Sequence, residues 1–319
     1  MENKIIPIEE ILPDEAFRFA RRDPEKVSRL EQSIRLSGLL EPIWVRISDA
    51  GRQILAGFSR LDAARAAELN QIPVFIADDD ISIGYLLYQI LLVHCVSSDL
   101  NVIEKARILK IMDSINPFDP KIRKRILALL GLPDKSSLLD EIETLLSLAH
   151  GIQTYIEEYG VSLKQASQFL QFDAEEQELC TKLGEVLFIR PVELLDIGIQ
   201  LRESAKRDGI SMQNIADSLG FPNLLNSDLT RGQKIYEMKQ RIAARRYPKL
   251  TGWNAAIESS SKAMDLPGVV KLQWDKTLEN PGVQIHAQLN SNEDVQRLVA
   301  GLSSDTAKTE FKKLFDTLS

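Results

Sequence analysis

The sequence predicts an α+β chain of several domains: a small α/β domain over residues 1–80, an all-helical middle domain over 81–265, and a small hairpin-plus-helices domain over 266–319. Three observations carry this. Short β-like runs (IWVRI, RQILA, IPVFIA) crowd the first part and alternate with helical stretches. Helical apolar stripes punctuated by Gly and Pro then follow, with almost no strand pattern. Finally VVKLQW and VQIHAQL flank the turn-rich LENPG, and two amphipathic helices come after them. A chain of 319 residues exceeds one typical domain.

In the first part, PIEEI reads as a strand or strand edge. Pro24 to Ser37 reads as a helix with Val27, Leu30 and Ile34 on one face, stopped by Gly38. Two strands, 43–47 and 52–56, are separated by the turn-like Ser48-Asp49-Ala50-Gly51. Gly57 ends the second strand, a helix runs from Arg60 to Leu69, and IPVFIA is a further strand.

The middle part predicts helices over 81–96, 101–114, 120–130, 136–148, 151–158, 162–170, 174–187, 191–207, 211–219 and 230–246. In the last part, Ser291 and Asp294 predict a capping box for a helix bearing Val295, Leu298, Val299 and Leu302. A last helix carries Phe311, Leu314, Phe315 and Leu318. A hairpin with two helices is a thin core, so these stripes are expected to meet a second subunit, giving a homodimer; packing onto the helical domain is the alternative.

Composition narrows the function classes. Apolar residues are 44% and charged residues 27%, ordinary for a globular chain. No window approaches the apolar length of a membrane span, and MENKIIPIEE has no signal-peptide core. Cys95 and Cys180 give neither a disulfide framework nor zinc spacing. A reducing, cytoplasmic setting is expected, nucleoid-associated if the protein binds DNA. The net charge of −7 argues against a generic polyanion binder, but screening leaves room for local basic surfaces.

The most informative stretch is Leu30 to Ile76. A strand ends at Gly57 and a helix begins near Ser59, and helix N-termini bind phosphate. Gly57 allows close backbone approach, Ser59 can donate a hydrogen bond and Arg60 can pair with phosphate oxygens. The turn at Gly38 is expected to line the same pocket. A plain structural glycine and a solvated arginine fit these residues as well.

Residues 4–78 resemble the N-terminal domain of the ParB family of chromosome-partition proteins. The likeness rests on Ser33-Ile34, the Gly38 to Ile43 turn, Gly57 to Arg60, the alanine-rich Ala63 to Ala67 and the Leu69 to Val74 strand. The resemblance implies a ParB/sulfiredoxin-like fold. Asp99 to Ala106 is similar to the stretch leading into the family's DNA-binding helices. The family implies CTP with magnesium as ligand, DNA and a partition ATPase as partners, and a role on a chromosome or plasmid.

The chain departs from the family at the site. The motif Gly-Glu-Arg-Arg reads Gly57-Phe58-Ser59-Arg60, and four positions associated with nucleotide and metal read Val93, His94, Val96 and Ser97. Valine cannot ligate magnesium, which wants oxygen. CTP or another nucleotide held without standard hydrolysis is therefore the expectation, with no catalytic residue assigned. Sulfiredoxin chemistry is excluded, because its cysteine falls at Phe58.

Two basic features are candidate DNA contacts. Lys121, Arg123, Lys124 and Arg125 open a helix that is followed, after LLGLPD, by Lys135, Ser136 and Ser137 at the start of a second. This is a helix-turn-helix outline. The second helix is acidic (Asp140, Glu141, Glu143), so an ordinary helical hairpin fits equally. The richer feature holds Arg231, Lys234, Arg241, Arg245 and Arg246, with Tyr236, Tyr247 and Trp253 close by. It would neutralise several phosphates, and its alternative is a helix face paired with acids elsewhere.

Two rival readings stay open. A nucleotide-dependent phosphotransferase needs a carboxylate base, for which Glu9, Glu10 and Glu41 are candidates. A protein-interaction scaffold with a decayed pocket needs neither ligand.

Overall fold

The computed structural model describes residues 2–12, 14–48, 51–78, 80–97, 99–268, 270–280 and 282–318, with backbone alone at Glu2, Val96, Ser97, Thr317 and Leu318. Asp49 and Ala50 of the expected turn, Val269 and Pro281 lie outside the described residues, as do the side chains of Val96, Ser97 and Leu318. The chain divides into two compact units, Met1–Leu195 and Asp196–Ser319.

The first unit opens with β1 (Glu2–Pro7), α1 (Pro24–Ser37), β2 (Ile43–Ser48), β3 (Gly51–Ala56), α2 (Phe58–Ala66) and β4 (Gln71–Ile76). The strands form one sheet in the order β1-β4-β2-β3. β1 runs antiparallel to β4, β2 antiparallel to β3, and β2 parallel to β4. The period-two pattern decides which face is buried: Ile43 and Val45 of β2, and Ile72, Val74 and Ile76 of β4, pack with Ile34 of α1 and Leu61 of α2. The expected PIEEI strand differs. β1 ends at Pro7, a 3-10 turn takes Ile8–Glu10, and Ile11 makes one bridge to Arg52.

α1 begins where the chemistry says it should. The Asp23 carboxylate accepts from the Glu25 and Lys26 N–H groups, and Pro24 fills the first helical position.

The helices that follow are α3 (Ile83–Ser97), α4 (Val102–Ser114), α5 (Pro120–Leu129), α6 (Ser136–Thr144), α7 (His150–Tyr159), α8 (Leu163–Ala166) and α9 (Ala174–Leu187). α3 to α6 share a second core with Phe17, Phe19 and Leu55, so Leu55 of β3 ties the sheet to the helices. Asn101 and Glu104 form a reciprocal capping box at α4, which gives Asp99 to Ala106 a structural use whatever else it does. Two predicted helices are shorter than expected. α6 ends at Thr144 in a 3-10 turn to Ser147, and α8 passes into 3-10 geometry over Ser167–Gln171. Tyr155 is buried and donates to the Ile189 carbonyl at 2.6 Å.

α10 (Pro191–Asp208) contains the boundary between the units. The second unit continues with α11 (Met212–Ser218), α12 (Phe221–Leu225), α13 (Arg231–Arg246), α14 (Pro248–Ala263), β5 (Val270–Trp274), β6 (Val283–Ala287), α15 (Asn292–Ser303) and α16 (Asp305–Leu318). α12 and α14 are absent from the sequence-based expectation. α14 carries Gly252, a run of three serines and few apolar positions, and it buries only Ile257 and Ser260. Its partner is α16, through Ile257, Met264, Ala307 and Leu314. The Ser291–Asp294 capping box is present at α15. That helix buries none of its residues, and Val295 and Val299 are exposed.

Candidate functional site

A cavity of about 380 Å³ opens in the first unit where β3 turns into α2. Gly57, Phe58, Ser59 and Arg60 form one part of its lining. Gly57 is forced on both counts that matter. Its φ is +93°, and a Cβ there would lie 2.8 Å from Ile43 Cγ2. The glycine thus lets the turn seat against β2. α2 starts at Phe58, slightly earlier than predicted, and its first internal partnering is Leu61 N–H to Gly57 O at 2.9 Å. The first-turn N–H groups of such a helix have no intrahelical acceptor.

Arg60 lines the cavity but is tethered. Its Nη1 donates to the Glu41 carbonyl at 3.1 Å, the Pro42 carbonyl at 3.2 Å and Glu41 Oε2 at 2.9 Å. Burial lowers its pKa from the ordinary value, and the Glu41 charge acts in the opposite direction. Of the carboxylates weighed as bases, Glu41 alone lines the cavity, while Glu10 pairs with Arg52. Gly38, with φ +70°, lies outside the lining, so Glu41 rather than Gly38 brings that turn to the site.

Of the remaining lining, the sequence reading singles out Val93 and His94 alone. Arg18 and Lys26 add two cations, Phe17, Phe19, Trp44 and Leu30 add apolar walls, and Val93 and His94 come from α3. Arg18 donates to Asp62 at 3.0 Å, lies 3.3 Å from Glu15, and stacks 4.6 Å from the Phe58 ring centroid. The Arg18 Nε–H is buried without a hydrogen bond. His94 meets Phe19 edge-on at 5.0 Å. Burial first, then the charge of Lys26, lowers its pKa, so the imidazole is kept neutral. Cys95 is half-buried, and burial pushes its thiol up. The Lys105 charge acts the other way.

The two basic segments differ in what their charges meet. On α5, Ile122, Ile126 and Leu127 face the core, leaving Lys121, Lys124 and Arg125 exposed. Arg123 pairs with Asp113 at 3.3 Å, and the Arg125 guanidinium lies 5.9 Å from the Tyr88 ring centroid. Lys135, Ser136 and Ser137 are exposed at the start of α6, with no side-chain cap. Glu143 is raised from its ordinary pKa by burial, then by Asp113.

On α13 the cations are used internally. Lys234 donates to the Leu225 carbonyl at 2.7 Å, closing α12. Arg241 donates to the Leu219 and Gly220 carbonyls at 2.9 and 3.3 Å, closing α11. Arg245 holds Asp208 at 2.7 Å and Ser218 at 3.0 Å, and Arg246 holds Glu203 at 2.5 Å. With Arg207 also bonded to it, the Asp208 carboxyl is lowered to about 2. The residues of α13 most open to solvent are Arg231, Gly232, Gln233, Tyr236 and Gln240, with Tyr247 exposed just past its end. The signal was present in the helical wheel: 234, 238, 241 and 245 share one side, next to buried Ile235 and Ile242.

Comparison with known proteins supplies the family. Residues 2–84 match the ParB N-terminal domain family. A chromosome-partitioning protein ParB of Myxococcus xanthus is 38% identical over 73 residues, 23% of this chain and 25% of that protein. A probable chromosome-partitioning protein ParB of Rickettsia typhi is 27% identical over 237 residues, 66% of this chain and 80% of that one. The chain therefore spans a quarter of one relative's length and four fifths of the other's. A solved structure, C-terminally truncated ParB from Caulobacter crescentus complexed with CTP-gamma-S, is 23% identical, covering 57% of this chain and 98% of that one. Its TM-score of 0.28 is too low to transfer positions. Among the described residues no helix is long and apolar enough to cross a membrane. The chain is ParB-like: its residues 2–84 match the ParB N-terminal domain family.

Proposed function

We propose that the protein is a DNA-binding partition protein of the ParB type whose N-terminal pocket holds a nucleotide. The observation that carries this reading is the cavity at the Gly57 turn. Three cationic side chains and only one carboxylate line it, beside aromatic walls, in the segment that matches the ParB N-terminal domain. A volume of about 380 Å³ suits a small ligand, and the polarity suits an aromatic ring bearing phosphate. The relatives named for chromosome partitioning support this role.

In this reading residues 1–80 bind the nucleotide, 81–265 meet DNA and 266–319 join two copies. The DNA-facing element would be the helix-turn-helix of α5 and α6: Lys121, Lys124 and Arg125 on the phosphate backbone, with Lys135, Ser136 and Ser137 at the groove. Arg231 would add one contact from α13. Arg241, Arg245, Arg246 and Lys234 would hold α10 to α13 in shape. The open apolar stripe of α15 supports a homodimer, and sedimentation of a Val295→Asp/Val299→Asp double variant, expected to run as monomer, checks it. A partition ATPase is the partner class the role implies, and the cytoplasm, on the nucleoid, is its location.

Genome-wide crosslinking and immunoprecipitation of the tagged protein in its own cell tests the role. Enrichment at discrete loci is expected. No enrichment, from a protein shown to be expressed and crosslinkable, would reject DNA partition and favour a scaffold.

A further inference from the structure

We propose that the pocket holds the phosphates of its nucleotide without a divalent cation, their charge being met by Lys26 and Arg18 together with the Gly57–Arg60 turn. The inference rests on the nucleotide reading above. It goes further by assigning Lys26 and Arg18, which no motif pointed to, and by removing the metal.

The donor set excludes a standard magnesium site. Magnesium needs several oxygen ligands in near-octahedral array. The one carboxylate lining the cavity is Glu41, and its Oε2 already accepts from Arg60 at 2.9 Å. α3 offers Val93, an aliphatic side chain 67% exposed, and the imidazole of His94. Among the described residues no three His, Cys, Asp or Glu side chains gather so as to hold a metal. The residues present do not fit the ion that the family implies.

The cations are arranged to replace it. Arg18 is fixed from two sides, by Asp62 and Glu15 at its tip and by the Phe58 ring on its face. The Arg18 Nε–H is sealed from solvent, so the charge that Arg18 offers the cavity comes from the rest of its guanidinium. Lys26 stands in the first turn of α1, where a cation opposes the helix dipole. A residue that breaks a local rule while lining a cavity marks a functional position. His94 lines the same side of the cavity, its ring edge-on to Phe19 at 5.0 Å. Phe58 occupies the place of an acidic family residue, and Arg18 lies over it, so the departure from the motif and the added cation are one arrangement.

The test is calorimetric titration of CTP, and separately ATP, into the full chain, with magnesium and with EDTA. Affinity is expected to agree within about twofold in the two buffers. Lys26→Glu, an exposed change that leaves the core intact, should weaken binding about tenfold or more, as for removal of a charge-assisted hydrogen bond. Arg18→Gln should weaken it similarly, with folding checked by circular dichroism. Binding that appears only with magnesium would overturn the inference and leave the nucleotide reading standing. Metal-free binding unmoved by Lys26→Glu would overturn the assignment of these cations. No binding of either nucleotide in either buffer would overturn the nucleotide reading itself, and the inference with it.

Discussion

The N-terminal cavity and α13 are both rich in cations, and they differ in how many of them are paired. In the cavity Arg60 is tied to Glu41 and Arg18 to Asp62 and Glu15, while Lys26 stands exposed at the rim. Along α13, Lys234, Arg241, Arg245 and Arg246 are each bonded to a carbonyl or carboxylate of their own unit. Charge density in a sequence is therefore a poor guide to ligand binding; charge left over after internal pairing is the better one. Surface pairs contribute little each. Arg241 and Lys234, however, satisfy helix-end carbonyls, and those bonds define where α11 and α12 stop.

The contrast can be broken most severely at Gly57. Gly57→Ala places a Cβ against Ile43 in a left-handed backbone, and should cost about 2–4 kcal/mol of stability, read by denaturant melting, with loss of any nucleotide binding. A silent substitution would mean that the turn can move and that the cavity is not built by it. Next, Arg241→Ala should cost about 1–2 kcal/mol by leaving the Leu219 and Gly220 carbonyls unpaired, while DNA affinity, measured below the melting range, stays constant. A drop in DNA affinity without a drop in stability would return α13 to the DNA surface. The smallest effect is a pH dependence. His94 is held neutral in the fold, so the unfolded chain takes its proton first, and stability should decline as pH falls through about 6.5. His94→Gln should flatten that decline, in melts recorded across pH 5.5 to 8 (about the imidazole range). A slope unchanged by the substitution would place the proton uptake elsewhere.

Much of the fold was legible because periodicity and punctuation agreed. The strands β2, β3 and β4, the α1 stop at Gly38 and the α15 capping box all follow local rules. α14 escaped because its sequence has no apolar stripe, and its packing against α16 decides it instead. At the site, Gly57 and Arg60 were readable from the strand-to-helix turn. Val93 and His94 were reachable through the family resemblance, whereas Arg18 and Lys26 were not, because they come from a loop and α1 and only the tertiary fold brings them to the site. On α13 the arginines were visible, but the carbonyls and the Asp208 and Glu203 carboxylates that consume them lie on other helices.

The account stands or falls on which basic surface carries DNA. The direct measurement is the salt dependence of binding to a generic duplex for the wild type and two charge-reversed variants. One variant carries Lys121→Glu, Lys124→Glu and Arg125→Glu, and the other Arg245→Glu and Arg246→Glu. The α5 variant should bind more weakly, with a slope shallower by about 0.9 for each phosphate it no longer neutralises. The α13 variant should melt earlier yet keep the wild-type slope at temperatures where it is folded. The opposite pattern, a flattened slope for α13 and none for α5, would contradict the account.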